Sequence, residues 1–459
     1  MKKENPSAVD LVHGPVGGTL LRFSLPFMLS TLLQTLYSTA DTVIVGQYLG
    51  SAGLSAVSNG SQLMQMLYMI CISFSTAGQV LIAQAEGAGD QCRTRKVIGA
   101  LFSLDLVLSA VIGGACILFA RPVLALLHTP AQAMEQAVWY TAICGAGMIF
   151  TGLYNMFSAV LRGMGDSVHP LLFVVIASAC NIVLDLLFIT VCGWGVAGTA
   201  LATVIGQAAS VIFSLIFVFR SAGLLQLQFR SGRRLWKTDR QAKRDLIRLG
   251  IPMAIQGGAV QSSFLFVSRM VNSLGLNVSA AFGVCQKLCN LPGILTQGLQ
   301  LGASSMIGQN WGAKQKERVS STVKRCILFA CAINLGFGLV YALFPQLCFR
   351  AFTQDEAVLE YAGMCMFVLI LELPARCLMP GCNSLISAQG FVRFSFVLAF
   401  VDAFVGRVLF SWLLGTVFDM GALGFLLGYS IGTYLTAVPA FLYYASGLWR
   451  RRKLLAHTH

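Results

Sequence analysis

The sequence predicts an all-α polytopic membrane protein, with twelve transmembrane helices arranged in two six-helix bundles. Three observations carry that prediction. Of 459 residues, 56% are apolar and only 11% charged, against roughly 25% charged in an ordinary soluble domain. Apolar stretches of about 20 residues, enough to cross a hydrocarbon core roughly 30 Å thick, recur twelve times along the chain. The two halves of the chain also repeat one pattern at a nearly constant offset. A soluble globule cannot cover so much apolar surface with so few polar side chains. The apolar fraction, 46 aperiodic glycines and 14 scattered cysteines exclude disorder, collagen and a disulfide scaffold. A membrane β-barrel is excluded because no ten-residue segments alternate apolar and polar residues.

The spans centre near Leu32, Met66, Leu108, Ile149, Val175, Val204, Leu265, Leu295, Ala332, Val368, Val401 and Val438. With them in place, the net charge of +14 acquires a location. Of the 32 Lys and Arg residues, 26 fall on the side that carries both ends of the chain. They are Lys2, Lys3, Arg22, Arg93, Arg95, Lys96, Arg162, nine from Arg220 to Arg248, five from Lys314 to Arg325, Arg393, and Arg450 to Lys453. Arg121 and Arg350 lie on the other side, and Arg269, Lys287, Arg376 and Arg407 lie inside spans. The positive side of a membrane protein is the cytoplasmic one. Both termini are therefore expected in the cytoplasm. Lipid replaces nucleic acid as the partner that explains the charge. The first ten residues lack the apolar core of a signal peptide, so none is expected. Cysteines such as Cys71, Cys116, Cys144, Cys180 and Cys331 sit in spans without metal-ligand spacing and read as small packing residues.

The repeat is seen in paired positions. Pro26 and Pro252 open equivalent spans, and Leu49-Gly50 matches Leu274-Gly275 at an offset of 225. At the same offset Gln84, Gly87 and Arg93 match Gln309, Gly312 and Arg318, and Gly165 matches Gly390. Gly198 and Gly206 match Gly424 and Gly432 at 226. Six spans per copy is an even number, so both copies enter the membrane the same way. The pseudo-twofold axis relating them then runs along the membrane normal. The expected organisation is an amino-terminal lobe over 1–220, a basic cytoplasmic connection over 221–245 and a carboxy-terminal lobe over 246–459. Two like bundles flanking a cleft suit alternating access.

A charged side chain inside a bilayer costs several kcal/mol and is by default a functional candidate. The acids in spans are Asp41, Asp105, Asp185, Glu372 and Asp402. From the span limits, Asp41, Asp185 and Thr203 lie about 9, 10 and 12 Å below the outer surface. Asn181 is one turn from Asp185 on the same face. Two carboxylates, an amide and a hydroxyl suit Na⁺; two neighbouring carboxyls of which one is neutral suit H⁺. The alternative is that Asp41 and Asp185 are separate, each satisfied by local polar neighbours. The first six spans hold no base to neutralise them. The second half mixes signs: Glu372 and Arg376, four apart, can pair directly, and Asp402 lies near Arg407. Glu372 and Lys287 are alternatively substrate-cavity residues, as are Gln34, Tyr37, Tyr140 and Asn155. Pro26 and Pro252 are hinge candidates, because a proline inside a helix removes a hydrogen bond and permits bending; Pro26 reads equally as a first-turn proline. Asp105 has no partner that the sequence identifies.

Over nearly its whole length the chain resembles the multidrug and toxic compound extrusion (MATE) transporters, most closely the DinF and MepA-like prokaryotic branch. The resemblance is carried by Pro26 with Gln34, and by Ser38-Thr-Ala-Asp41-Thr-Val-Ile-Val-Gly46. Further matches are Gln84-Ala-Glu86-Gly-Ala-Gly89 with its echo Gln309-Asn-Trp-Gly312, Leu161-Arg-Gly163-Met-Gly-Asp166, and Gly195-Val-Ala-Gly198-Thr-Ala-Leu-Ala-Thr203. It implies a V-shaped pair of lobes that exports organic cations in exchange for H⁺ or Na⁺, with no cofactor, acting as a monomer. The family's amino-lobe cation site falls on Asp41, Asn181, Asp185 and Thr203. The seventh span offers Gln256, Gln261 and Arg269 but no acid, which puts a carboxy-lobe cation site in doubt. A lipid-linked saccharide flippase of related fold is the alternative, and would need a strongly basic cavity. An intramembrane enzyme would need a nucleophile–base or metal cluster at depth, and the five histidines lie outside span interiors. An ATP-driven pump would need a phosphate-binding G-x-x-x-x-G-K-[ST] loop, which is absent from the sequence.

Overall fold

The computed structural model describes residues 9–126, 129–220 and 239–452. Its helices follow the spans: α1 Val16–Gly50, α2 Ala52–Gly87, α3 Gln91–Leu126, α4 the bent pair Ala131–Ala146 and Met148–Gly163, α5 Val168–Val191 and α6 Gly195–Val218. The second set is α7 Arg240–Asn272, α8 Leu276–Gly312, α9 Lys316–Leu343, α10 Glu356–Ala388, α11 Val392–Val417 and α12 Gly421–Ala445. Ten of these are long and apolar enough to cross a membrane, and the α4 pair, bent by 48°, makes an eleventh. Only α7 falls short of that apolarity. Its basic start and the stretch Gln256 to Ser263 dilute the run of apolar residues. Most of the basic connection expected over 221–245 lies outside the described residues, and 240–245 form the start of α7.

The repeat is written in the backbone as well as in the sequence. Gly50 and Gly275, at φ 65° and 113°, turn α1 into α2 and α7 into α8. Gly89 and Lys314 end α2 and α8 in the left-handed region, at φ 72° and 60°. At both ends the residue after it bonds back across the last turn, Asp90 N to Ala85 O and Gln315 N to Asn310 O, each 2.9 Å. This is the Schellman closure that favours glycine. Gly165 and Gly390 do the same for α4 and α10. At the carboxy-terminal ends of α5 and α11, single π turns occupy Leu187–Val191 and Leu413–Val417, followed by positive φ at Gly193 and Asp419.

By internal packing the residues form two units. One holds Leu29–Ala254 with the described residues up to Asp10; the other holds Leu11–Met28 and Ile255 onward. The packing units therefore cut the chain elsewhere than the repeat does. The first part of α1 belongs with the second-half helices, where Arg318 donates to the carbonyls of His13 and Gly14 at 2.7 and 2.6 Å. Gly302 and Gly298 leave room there for Ser24 and Met28. The first part of α7 belongs with the first-half helices, held by Arg93–Asp245 at 3.1 Å and Lys96–Asp239 at 2.9 Å. Asp239 also caps α7 by accepting from Gln241 N and Ala242 N. Arg93 and Arg318, equivalent in the repeat, do equivalent work. Pro26 and Pro252 sit well inside their helices, so Pro26 is not a first-turn proline. Each precedes by two residues the point where its helix passes from one unit to the other.

The second unit neutralises its own buried charges. Glu372 is held by Arg376 at 3.0 Å and by the Thr433 hydroxyl at 2.5 Å. Asp402 takes both prongs of the Arg407 guanidinium, at 3.0 and 3.1 Å, while Arg407 Nη1 donates to Tyr429 at 2.9 Å. Residues five apart share a face only on a π-helix, and Val401–Leu409 is one. The π segment Val401–Leu409 thus brings both members of this buried ion pair to one face. Lys287 stands apart from this group, its ammonium 5.7 Å from the Phe352 ring.

Two outcomes follow. Lys314 and Asp419 are exposed residues in a conformation that costs an L-residue about 1–2 kcal/mol. Lys314→Gly should raise the melting temperature of the purified protein, and Asp419→Gly should raise it less, because Asp tolerates the left-handed region better. Arg407→Met strands the Asp402 carboxylate and should destabilise the protein by about 3–5 kcal/mol. Adding Asp402→Leu should recover most of that loss in a thermal-unfolding series.

Candidate functional site

The candidate site lies wholly in the first unit, on α1, α4, α5 and α6. The start of α5 is fixed by Asp166, which accepts from Val168 N and His169 N and holds the His169 ring at 2.7 Å. Close approach of α5 to α6 is permitted by Gly206, where a Cβ would stand 2.8 Å from the Ala177 carbonyl and press on Asn181. That approach brings Asn181 and Thr203 together. With the Asn181 amide nitrogen turned to Asp185, it donates to Asp185 Oδ2 at 3.3 Å. Its oxygen then accepts from Thr203 Oγ1 at 3.3 Å and from Thr203 N at 3.2 Å.

Asp185 is fully buried, and its carboxyl lies within interaction reach of that of Asp41 on α1. Two carboxyls can bond to each other only if one of them carries a proton. One oxygen of each, Asp41 Oδ1 and Asp185 Oδ1, is buried with no hydrogen-bond donor. The structure therefore joins Asp41, Asp185, Asn181 and Thr203 into one chain of contacts, acceptor-rich at the Asp41 end. No Lys, Arg or His among the described residues is paired with either acid.

The other expected residues are arranged around this chain. Tyr37, one turn before Asp41, lies within electrostatic reach of Asp41, Asp185 and Tyr154. Gln34 is exposed and donates to the Tyr154 hydroxyl at 3.4 Å. Asn155 is bonded to the Tyr68 hydroxyl at 2.8 Å and to the Thr151 carbonyl at 2.7 Å. Tyr140 is buried, with its ring against Gly60, so it packs as a core residue. Glu372 and Lys287 belong to the other unit. Tyr68, a tyrosine within a span on the partner helix of Asn155, has no sequence pattern that marks it as part of this group. Arg162, which the charge distribution puts at the edge of its span, has its Nε donating to Gln79 Oε1 at 2.8 Å within the helix packing.

The sequence profile of the MatE family matches residues 26–187 and again 252–413. The two matches are the two copies of the repeat. Over 447 residues the chain is 27% identical to the probable multidrug resistance protein YpnP of Bacillus subtilis, covering 97% of this chain and 99% of that one. It is 23% identical over 447 residues to the probable multidrug resistance protein NorM of Thermotoga maritima, covering 95% and 94%. In fold it is similar to a MATE crystal structure in the straight conformation, with TM-score 0.89 and 23% identity over 97% of this chain and 99% of that chain. A family profile met twice, in register with a six-helix repeat that the backbone itself repeats, means that the chain belongs to the MATE family of multidrug efflux transporters and is no enzyme.

Proposed function

We propose that the protein is a proton-coupled antiporter of the bacterial inner membrane that exports amphipathic organic cations by alternating access, with both termini in the cytoplasm. The observation that carries this reading is the approach of the Asp41 and Asp185 carboxyls to each other, with no Lys, Arg or His among the described residues paired with either. Such a pair holds one exchangeable proton and one negative charge. It attracts a cation, and it cannot accept one without changing its own geometry.

In this reading the proton and the drug compete. An arriving proton neutralises the Asp41–Asp185 pair, and α1 closes on α5. An arriving drug cation meets the pair's remaining charge and displaces the proton. Gln34 and Tyr37, on the same helix as Asp41, present an amide and an aromatic ring to the cargo, with cation–π attraction from Tyr37. The position of Pro26 and Pro252, two residues before each helix changes unit, supports their role as hinges. Na⁺ is the alternative occupant, held by the two carboxylates, the Asn181 oxygen and the Thr203 hydroxyl. The direct approach of the two carboxyls favours the proton, since Na⁺ would stand between the acids.

The test is efflux of ethidium from proteoliposomes under an imposed H⁺ gradient and, separately, an imposed Na⁺ gradient. The parent should respond to H⁺ alone. Asp41→Asn should fall to the rate seen without a gradient, while its melting temperature stays near that of the parent. Gradient-driven efflux by Asp41→Asn at the parent's rate, or efflux driven by Na⁺ alone, would sink the proton reading.

A further inference from the structure

Asp105 is the acid that this scheme does not use. It lies within α3, is 0% exposed, and neither of its carboxyl oxygens has a hydrogen-bond partner. Its place is made for it: Gly152 of α4 faces the carboxyl, and a Cβ there would come within 2.8 Å of Asp105 Oδ2 and collide with Ser109 Oγ. Ser109, one turn along α3, lies 3.8 Å from Cys71 Sγ of α2. Nearby, Cys71, Ile112, Cys116 and Met148 form an apolar cluster.

The groups that face the carboxyl from each packed element are Cys71 on α2, Gly152 on α4 and Ser109 on α3 itself. Cys71 is therefore its titratable neighbour, and no Lys, Arg or His among the described residues is paired with it. An ionised carboxylate in that position would be an unpaired charge inside hydrocarbon, which proteins avoid by taking up a proton. A row of hydroxyls and amides leads toward it. Tyr68 is one turn from Cys71 on α2, and Asn155 is one turn from Gly152 on α4, and the two are bonded to each other. Tyr154, beside Asn155 in sequence, is bonded to the exposed Gln34.

We propose that Asp105 is a second proton-binding site of the first unit, loaded in the packing seen here and emptied when α3 draws away from Gly152 during the transport cycle. In that step the O–H bond of Asp105 breaks and the proton passes to water along the Tyr68–Asn155 side, leaving a hydrated carboxylate. The exchange rests on the proton-coupled reading above; the presence of the proton does not.

Infrared difference spectroscopy of the purified full-length chain in lipid nanodiscs tests the first half. In an Asp41→Asn, Asp185→Asn background, a protonated-carboxyl stretch should remain at neutral pH, and adding Asp105→Asn should remove it. Ser109→Ala, which keeps the acid but changes its surroundings, should shift the band. No band in that background, or a band untouched by both changes, overturns the proposal whatever Asp41 does. The second half is read by proton flux per ethidium in proteoliposomes. Asp105→Asn in the otherwise native chain should export with fewer protons per ethidium and a flatter pH dependence. A band that disappears with Asp105→Asn while flux and pH profile match the parent would make the proton a fixed structural one and overturn the exchange.

Discussion

Inside hydrocarbon a carboxyl group has to be neutral or held against a cation, and the buried architecture of this protein is arranged around that constraint. Each intramembrane acid meets it differently. Asp402 and Glu372 have guanidinium partners, Arg407 and Arg376. Asp41 and Asp185 have each other, with Asn181 and Thr203 behind them. Asp105 has only a close-fitting pocket. The helices yield to these needs. The π segment Val401–Leu409 exists where an acid and a base are five residues apart. Gly206 and Gly432 stand where a neighbouring helix must come close enough for polar groups to meet.

Much of this was legible in the sequence, and for definite reasons. Spans are legible because lipid demands about 20 apolar residues. Only α7 was marginal, since Gln256, Gln261 and two adjacent serines lower its apolarity without ending the helix. The grouping of Asp41, Asn181, Asp185 and Thr203 was legible because depth follows from rise per residue once the orientation of each span is known. What the sequence could not supply was tertiary. Nothing in it shows that α1 and α7 change unit after Met28 and Ala254, because contacts between distant segments leave no local periodicity. The Tyr68–Asn155 bond was missed for the same reason, and the burial of Tyr140 against Gly60 is equally invisible.

The repeat explains why the two halves differ in charge. Asn181 and Arg407 are equivalent at an offset of 226, as are Thr203 and Tyr429, and Gly206 and Gly432. The contact between the first two pairs is also preserved in kind. In the first half Asn181 meets Thr203 at 3.3 Å, and in the second Arg407 donates to Tyr429 at 2.9 Å. One architecture thus carries an amide at one copy of the position and a guanidinium at the other.

That exchange of residues has an electrostatic consequence. A guanidinium never loses its proton in a protein, so the second copy has a permanent cation fixed in the place where the first has a neutral amide. Its acid, Asp402, is permanently satisfied and has no vacancy for a mobile ion. The first copy, with Asn181 in that place, leaves Asp185 a hydrogen bond but no counter-charge. In the proton-coupled reading proposed above, an incoming cation therefore changes the charge state of the first copy. The acids differ as well: at the same offset Asp185 corresponds to Ser411 and Asp402 to Ile176, so each copy carries its acid where the other has none, and only the second carries a base beside it.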